Sequence, residues 1–319
     1  MTIRAGRLRR TLLAAGVALA VVLPVSGAAR PEIPAPAPAS LGRVTAPKLT
    51  AAYEANRANA AEAARMAERY GARGRAAELR AMASPGRRFL AFDGRGAGRT
   101  AEVFGDLAGA DRVAVLVPGS DTSLDAYDRF RAGALALRAK LGPGTAVVAW
   151  LGYETPGTLS PAVLTTGRAD EAAPGLRSFV RRLHDVNARA RVSLLCHSYG
   201  SVVCASAASG PGGRDLDVTD IALYGSPGTG VDRAADLDTR ARIWAGRGAD
   251  DWITDVPHHS VGLFGTTLGF GADPVSRGFG ARVFAAGSGG HSDYLKPGSL
   301  ALDSLARIVR GEDPEAGHA

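Results

Sequence analysis

Short apolar segments alternate with helical segments from residue 85 onward, and this alternation constrains the possible folds of the chain more than any other feature. Strands buried on both faces of a parallel sheet are apolar throughout, because helices cover both sides. The pattern therefore predicts an α/β fold with a doubly wound, mostly parallel sheet, opened by an antiparallel hairpin. The predicted strands are 88–92, 100–104, 113–117, 146–151, 192–196, 220–224, 241–245 and 281–285, and the predicted helices are 124–141, 173–188, 200–208 and 300–309.

The strongest functional motif lies where the 192–196 strand meets the next helix. It reads Leu194-Leu195-Cys196-His197-Ser198-Tyr199-Gly200-Ser201. A strand, a tight Ser-x-Gly turn and a helix in this order are typical of a nucleophile elbow, in which small neighbours leave the serine hydroxyl exposed above the sheet. Cys196 stands where such an elbow usually has glycine. We interpret Ser198 as a nucleophile, and the alternative is a serine that caps the helix.

An earlier loop is a candidate for an oxyanion hole, which needs two backbone N–H groups directed at one point. One N–H group would come from Tyr199, the residue after the nucleophile. The other would come from Ser120, in the loop Pro118-Gly119-Ser120-Asp121 that follows the 113–117 strand. The alternative for this loop is a plain turn that contains glycine.

His291 is the predicted general base. It lies in a loop before the last predicted helix, where the chain order serine, acid, histidine places the base. His258 and His259 are the alternatives, and they would otherwise be an ordinary pair of loop histidines. The remaining histidines lie on a helix surface, within the elbow but pointing elsewhere, or in a polar tail: His184, His197 and His318.

The acid that orients the base is predicted to follow a strand between the serine and the histidine. Asp251 is favoured because it follows the 241–245 strand and directly precedes the apolar pair Trp252-Ile253. Asp250 is the second choice and Asp232 the third. Any one of these aspartates would otherwise be a solvated loop charge.

The two cysteines of the chain, Cys196 and Cys204, are predicted to stay reduced. The first ends a strand and the second lies about two turns into the following helix. A helical rise of about 1.5 Å per residue predicts a separation of ~10 Å, beyond the limit of about 7 Å between the Cα atoms of a disulfide.

The amino-terminal segment has the pattern of an export signal over residues 1–28: four arginines, the apolar run 11–25 and a small-residue site. The run is shorter than the ~20 residues of a membrane-spanning helix, and an uncleaved anchor is the alternative. Residues 29–84 are predicted to be a Pro/Ala-rich linker and a helical extension divided near Gly71 and Gly74, followed by the main domain over 85–319. The expected location is secreted or associated with the cell envelope.

Six motifs between residues 88 and 310 belong together: the segment 105–119, Trp150-Leu151-Gly152-Tyr153, His197-Ser198-Tyr199-Gly200-Ser201, Gly225-Ser226-Pro227-Gly228, Asp251-Trp252-Ile253 and Gly290-His291-Ser292-Asp293-Tyr294. With these motifs, residues 88–310 resemble an actinobacterial alpha/beta-hydrolase family of long unknown function. The resemblance implies an alpha/beta-hydrolase fold with Ser198, Asp251 and His291 in the triad positions, and it implies no particular substrate.

These features together predict an exported serine hydrolase that cleaves a small-molecule or lipid-like carboxylic ester through an acyl-enzyme. The alternatives are an acyltransferase with the same triad and a non-catalytic binding protein with the same fold.

No metal or organic cofactor is expected, because no Cys/His cluster has ligand spacing. Four of the positive charges behind the net charge of +7 are arginines of the leading segment, and the rest of the chain has no long run of like charges. This charge distribution disfavours nucleic-acid binding. The apolar residues of the loop 256–274 are candidates to line an acyl pocket or to pack on the sheet.

Overall fold

Ten strands and six α-helices occur in the part of the chain that the computed structural model describes, residues 32–256, 261–263 and 266–317. The strands are β1 (Phe89–Asp93), β2 (Arg99–Phe104), β3 (Arg112–Val117), β4 (Thr145–Leu151), β5 (Arg191–His197), β6 (Asp220–Tyr224), β7 (Arg242–Gly246), β8 (Val261–Leu263), β9 (Thr266–Leu268) and β10 (Arg282–Val283). The helices are α1 (Leu49–Tyr70), α2 (Arg73–Met82), α3 (Tyr127–Leu141), α4 (Gly167–Val186), α5 (Tyr199–Ala207) and α6 (Leu300–Arg310).

Eight of these strands form one sheet in the order β1-β2-β4-β3-β5-β6-β7-β10. The pairs β1/β2 and β2/β4 are antiparallel, and the remaining neighbours are parallel. The short strands β8 and β9 form a separate antiparallel pair. The predicted doubly wound, mostly parallel α/β sheet with an opening hairpin is therefore confirmed.

Both faces of the central strands are buried, which explains why their sequences are apolar throughout. In β3, Val113, Val115 and Val117 belong to the same buried cluster as residues of α4 and α5. The intervening residues Ala114 and Leu116 are also fully buried, and α3 and α6 contact each other and the strands β4, β3 and β6. Helices therefore cover each side of the parallel part of the sheet. No helix in the described residues is both long and apolar enough to span a bilayer.

The segment before the sheet is extended and then helical, and it lies against the domain. Helix α1 ends at Tyr70 and is capped by Gly71, which has a left-handed φ of 89° that favours glycine. Within α1, the side-chain amide of Asn56 donates to the carbonyl of Phe89 in β1 at 2.7 Å. Asn59 donates to the carbonyl of Ala37 at 2.7 Å, so side chains of α1 bind both the sheet edge and the Pro/Ala-rich segment.

The two cysteines form a disulfide, so the prediction that they stay reduced is wrong. The Cα atoms of Cys196 and Cys204 are 6.4 Å apart, and both residues are fully buried. The predicted separation assumed that the chain continues in one direction from strand to helix. Instead, the tight turn at Ser198 reverses the chain, and α5 packs back along β5 within the cluster that contains both cysteines.

Candidate active site

Ser198 occupies the turn between β5 and α5 in a strained conformation. Its φ is +51°, one of two positive values found for non-glycine residues in the described chain, and such values are uncommon outside glycine. The Ser198 N–H group donates to the carbonyl of Tyr224 at 3.0 Å. A Cβ atom on Gly200 would lie 2.5 Å from the Val117 carbonyl oxygen, so only glycine fits beside β3. The elbow is therefore built tightly around the serine, and backbone strain of this kind often marks a functional residue.

His291, from the loop before α6, contacts Ser198 directly. Its Nε2 atom lies 2.9 Å from the Ser198 Oγ atom. Ser198 and His291 are 93 positions apart in the chain, and they meet because the loop before α6 passes over the carboxyl end of β5. The imidazole is thus in position to accept the serine proton.

Asp251 binds the other side of the same imidazole. Its Oδ1 and Oδ2 atoms lie 2.9 Å and 3.1 Å from His291 Nδ1, and its side chain also accepts a hydrogen bond from the Ile253 N–H group at 2.9 Å. Burial alone would raise the pKa of Asp251, but hydrogen bonds from His291, Tyr294 and Ile253 more than offset this and hold the pKa below its usual value. The acid is therefore ionised, and Nδ1 of His291 carries the proton that it donates.

The alternative acids and bases lie elsewhere or outside the described residues. Asp250 is exposed, and Asp232 lies beside Gly271. His184 bonds to the carbonyl of Asp217. The predicted alternatives His258 and His259 fall outside the residues that the structure describes, as does His318.

His197 lies at the site, although the sequence predicted that its side chain points elsewhere. Its Nε2 atom lies 2.8 Å from the carbonyl oxygen of His291, and the two rings are 4.7 Å apart. Because a carbonyl only accepts, Nε2 of His197 must donate. Burial, together with the nearby His291, lowers the pKa of His197 to about 3, so its ring is neutral. It anchors the backbone of His291 without carrying charge.

The two loops proposed for the oxyanion hole both border the serine. A Cβ atom on Gly119 would lie 2.7 Å from the Ser198 Cβ atom and 3.2 Å from its Oγ atom, so the loop that carries Ser120 lies against the nucleophile. The N–H group of the next residue, Asp121, is taken by the carbonyl of Pro156 at 3.1 Å. Tyr199 begins α5, and an N–H group in the first turn of a helix has no partner within that helix. Gly119 and Tyr199 thus adjoin Ser198, and the role of Ser120 and Tyr199 as donors stays a prediction.

Tyr294 belongs to one of the motifs above, but its sequence context indicated no role for it. Its hydroxyl donates to Asp251 Oδ2 at 2.5 Å and accepts from the Gly248 N–H group at 3.0 Å. The only sequence signal was its position three residues after His291 in the segment Gly290-His291-Ser292-Asp293-Tyr294. Nothing in the spacing indicates that its hydroxyl reaches a residue 43 positions earlier in the chain.

An exposed aromatic ring borders the catalytic imidazole. The Trp252 ring is 4.6 Å from the His291 ring, and 51% of the residue is exposed. Phe270 is buried and packs edge-on against Tyr199, so this part of the loop 256–274 joins the core. Its other predicted pocket residues, Val261, Leu263, Phe264 and Leu268, have side chains outside the described set.

Within the described residues, no group of three or more His, Cys, Asp or Glu side chains could hold a metal ion.

A family model and several sequence relatives match this chain. Residues 93–261 match the model of a family described as alpha/beta hydrolase. An uncharacterized protein of Mycobacterium tuberculosis is 32% identical over 258 residues, which cover 70% of this chain and 38% of that protein. An uncharacterized protein of Mycobacterium bovis is 32% identical over 147 residues, which cover 42% of this chain and 53% of that protein. The chain thus spans between about two fifths and half of these relatives.

Solved structures of similar architecture include two esterases. An esterase of Pyrococcus furiosus aligns with a TM-score of 0.45 at 12% identity, covering 67% of this chain and 88% of that one. The esterase LipW from Mycobacterium marinum aligns with a TM-score of 0.42 at 16% identity, covering 78% of this chain and 88% of that one.

Proposed function

The chain belongs to the alpha/beta-hydrolase family, and we propose that it is an exported serine hydrolase that cleaves a carboxylic ester. One observation carries the proposal. Ser198 Oγ lies 2.9 Å from Nε2 of His291, whose Nδ1 atom lies 2.9 Å from the buried carboxylate of Asp251. A hydroxyl, a base and an orienting acid in this linear order can generate an alkoxide-like nucleophile at neutral pH.

In the proposed first half-reaction, Ser198 Oγ attacks the carbonyl carbon of the ester while its proton passes to Nε2 of His291. The resulting imidazolium is stabilised by the negative charge of Asp251. The carbonyl oxygen becomes an oxyanion that accepts hydrogen bonds from the N–H groups of Tyr199 and Ser120. The C–O bond of the ester then breaks, and His291 gives its proton to the departing alcohol.

In the second half-reaction, water attacks the acyl-enzyme and transfers a proton to His291. The bond between the acyl carbon and Ser198 Oγ breaks, Oγ recovers the proton, and the carboxylic acid leaves. An alcohol in place of water would make the same site an acyltransferase. Product analysis with added acceptor alcohols separates these outcomes.

The surface beside the imidazole favours a substrate ester that carries an apolar group. Trp252 is half exposed and its ring contacts the His291 ring, so it offers apolar area next to the reacting atoms. An aromatic wall of this kind stabilises a hydrocarbon portion of a substrate by removing it from water. We therefore expect turnover of p-nitrophenyl esters to rise with acyl chain length before it declines.

The direct test is labelling with a fluorophosphonate probe together with p-nitrophenyl ester hydrolysis. Wild type should react in both assays, and Ser198→Ala should lose both while its melting temperature changes by only a few degrees. Ser201→Ala is a matched control, because Ser201 is buried in the helix that follows Ser198 and its hydroxyl donates to the carbonyl of Cys196 at 3.0 Å. If wild type never reacts with the probe, or if Ser198→Ala keeps wild-type turnover, a binding protein with this fold replaces the hydrolase.

Export is the second part of the proposal. It is supported by the charged, apolar and small-residue order of residues 1–28. The Cys196–Cys204 disulfide also supports it, because disulfides persist mainly in oxidising compartments outside the cytosol. Amino-terminal sequencing of secreted protein should find a start near Ala29. An intact Met1 in the membrane fraction would favour a retained anchor instead.

A further inference from the structure

We propose that Tyr294 is a positioning residue of this site, whose hydroxyl holds the carboxylate of Asp251 in place for His291. The inference rests on the proposed function, since it assigns Asp251 the task of orienting the base. Tyr294 itself does not touch the reacting atoms. It acts through Asp251, to which its hydroxyl donates at 2.5 Å.

The direction of this hydrogen bond is determined by a second contact. The N–H group of Gly248 donates to the Tyr294 oxygen at 3.0 Å. A phenol has one proton to give, and the backbone donor occupies the side of the oxygen that faces the β7 loop. The remaining partner of the hydroxyl is an ionised carboxylate, which only accepts. The Tyr294 proton is therefore committed to Asp251.

The surrounding backbone leaves room for this contact. Gly225 has a left-handed φ of +56°, and a Cβ atom there would lie 3.0 Å from both Asp251 Oδ2 and the Tyr294 ring. A Cβ atom on Gly248 would lie 2.0 Å from the carbonyl oxygen of Gly289. These two glycines let the loop after β7 and the loop that carries His291 approach closely enough for the hydroxyl to reach the acid.

The Tyr294 ring is itself held rigidly. The residue is 4% exposed, and its ring packs against the rings of Tyr224 and His197 at 5.2 Å and 5.7 Å. Aromatic contacts of this kind fix the ring plane, so the hydroxyl has little freedom to leave Asp251. A buried and well-packed phenol thus binds one carboxylate oxygen of Asp251.

The electrostatics support a role in keeping Asp251 ionised. The hydrogen bond from Tyr294 is among the interactions that lower the pKa of Asp251 against the effect of burial. Burial and the bond to Asp251 raise the pKa of Tyr294 well above its usual value, so the phenol stays a donor. Three other ionisable groups lie nearby: Tyr224, whose pKa is raised well above its usual value by burial, the neutral His197, and Arg247, whose guanidinium binds Asp273 at 2.6 Å.

Tyr294→Phe tests the proposal because it removes only the hydroxyl. Without that donor, Asp251 should be easier to protonate and less firmly oriented. We expect kcat/KM to fall about tenfold, mainly through kcat, because a carboxylate that has lost one of its donors holds the imidazolium of the transition state less firmly. The acidic limb of the pH profile should move to higher pH by about one unit.

Tyr127→Phe is the matched control. Tyr127 is also buried and its hydroxyl also donates to a buried carboxylate, that of Glu102 at 3.1 Å. Its loss should lower the melting temperature without moving the pH profile or kcat/KM. An unchanged profile and unchanged kcat/KM in Tyr294→Phe, with wild type active, would overturn the positioning role.

A proton NMR measurement separates this inference from the proposed function. The proton that His291 Nδ1 shares with Asp251 should give a downfield resonance whose pH dependence follows the acid, whether or not any ester is hydrolysed. We expect the midpoint for its loss at low pH to be higher in Tyr294→Phe than in wild type. A shifted midpoint in a protein that cleaves no ester would retain the role of Tyr294 and reject the hydrolase, whereas identical midpoints would reject the role of Tyr294.

Discussion

Replacing Asp251 with asparagine removes one negative charge while it preserves the size and shape of the side chain. The two carboxylate oxygens now accept from three donors: Nδ1 of His291, the N–H group of Ile253 and the hydroxyl of Tyr294. Asparagine has one oxygen, and its NH₂ group donates. Whichever way the amide turns, its NH₂ group faces a group that donates in the wild type, inside a site that is 2% exposed at this residue.

The cost to turnover follows from these contacts. If the NH₂ group faces His291, the imidazole must hold its proton on Nε2, which then cannot accept the proton of Ser198. If it faces Tyr294, the tautomer survives but the imidazolium forms without a counter-charge. The corresponding change in serine-protease triads lowers kcat by about 10⁴-fold, which is roughly 5 kcal/mol of transition-state stabilisation. We expect a loss of that order here.

The assay is kcat/KM for an activated ester, with circular dichroism and thermal melting to show that the variant is folded. Asp250→Asn is the control, because its side chain is exposed and adjacent in the chain. It should leave turnover nearly unchanged. If Asp251→Asn keeps more than about a tenth of wild-type turnover, the argument from an orienting charge is refuted. If Asp250→Asn loses turnover instead, the acid has been misidentified by one residue.

Three further changes test the framework around the site. Gly200→Ala should destabilise the protein by about 1–3 kcal/mol and abolish labelling at the elbow, because its Cβ atom would lie 2.5 Å from the backbone oxygen of Val117; a normally stable, reactive variant would contradict the close packing. Thiol counting after denaturation without reductant should find no free thiol, and two free thiols would reject the disulfide. Replacing both Cys196 and Cys204 with alanine should lower the free energy of unfolding in urea by about 2.5 kcal/mol, because the unfolded chain is then no longer cross-linked. Glu102→Ala should cost about 3 kcal/mol, because Glu102 is 2% exposed and binds Arg87, while turnover per folded molecule should not change; an unaltered denaturation midpoint would show that this pair contributes nothing.

The sequence alone was enough to predict the sheet, because strands covered by helices on both faces have to be apolar at every position. The predicted strand 220–224 coincides with β6, and the predicted strand 113–117 differs from β3 by one residue. The recognisable elbow sequence then placed a serine at the carboxyl end of β5. Chain order predicted an acid after β7 and a histidine before α6. The structure brings the serine, the acid and the histidine together. Their catalytic roles stay a prediction.

Helix α4 shows where the local pattern was insufficient. The sequence predicted a start at residue 173, next to Pro174, whereas the helix begins at Gly167 and contains that proline. Ala169, Ala172 and Ala173 are buried on the face that continues to Leu176. Packing of that face against the sheet maintains the helix across a residue that lacks an N–H group.

The tertiary structure alone decided which side chains meet. The Cys196–Cys204 disulfide exists because the chain reverses at Ser198, and the bond from Tyr294 to Asp251 joins loops 43 positions apart. Periodicity and turn residues report the backbone state of a few neighbouring residues. They carry no information on which side chains of separate loops face one another. In this fold those loops converge because parallel strands all end at the same edge of the sheet, and the contacts made there depend on how the loops pack.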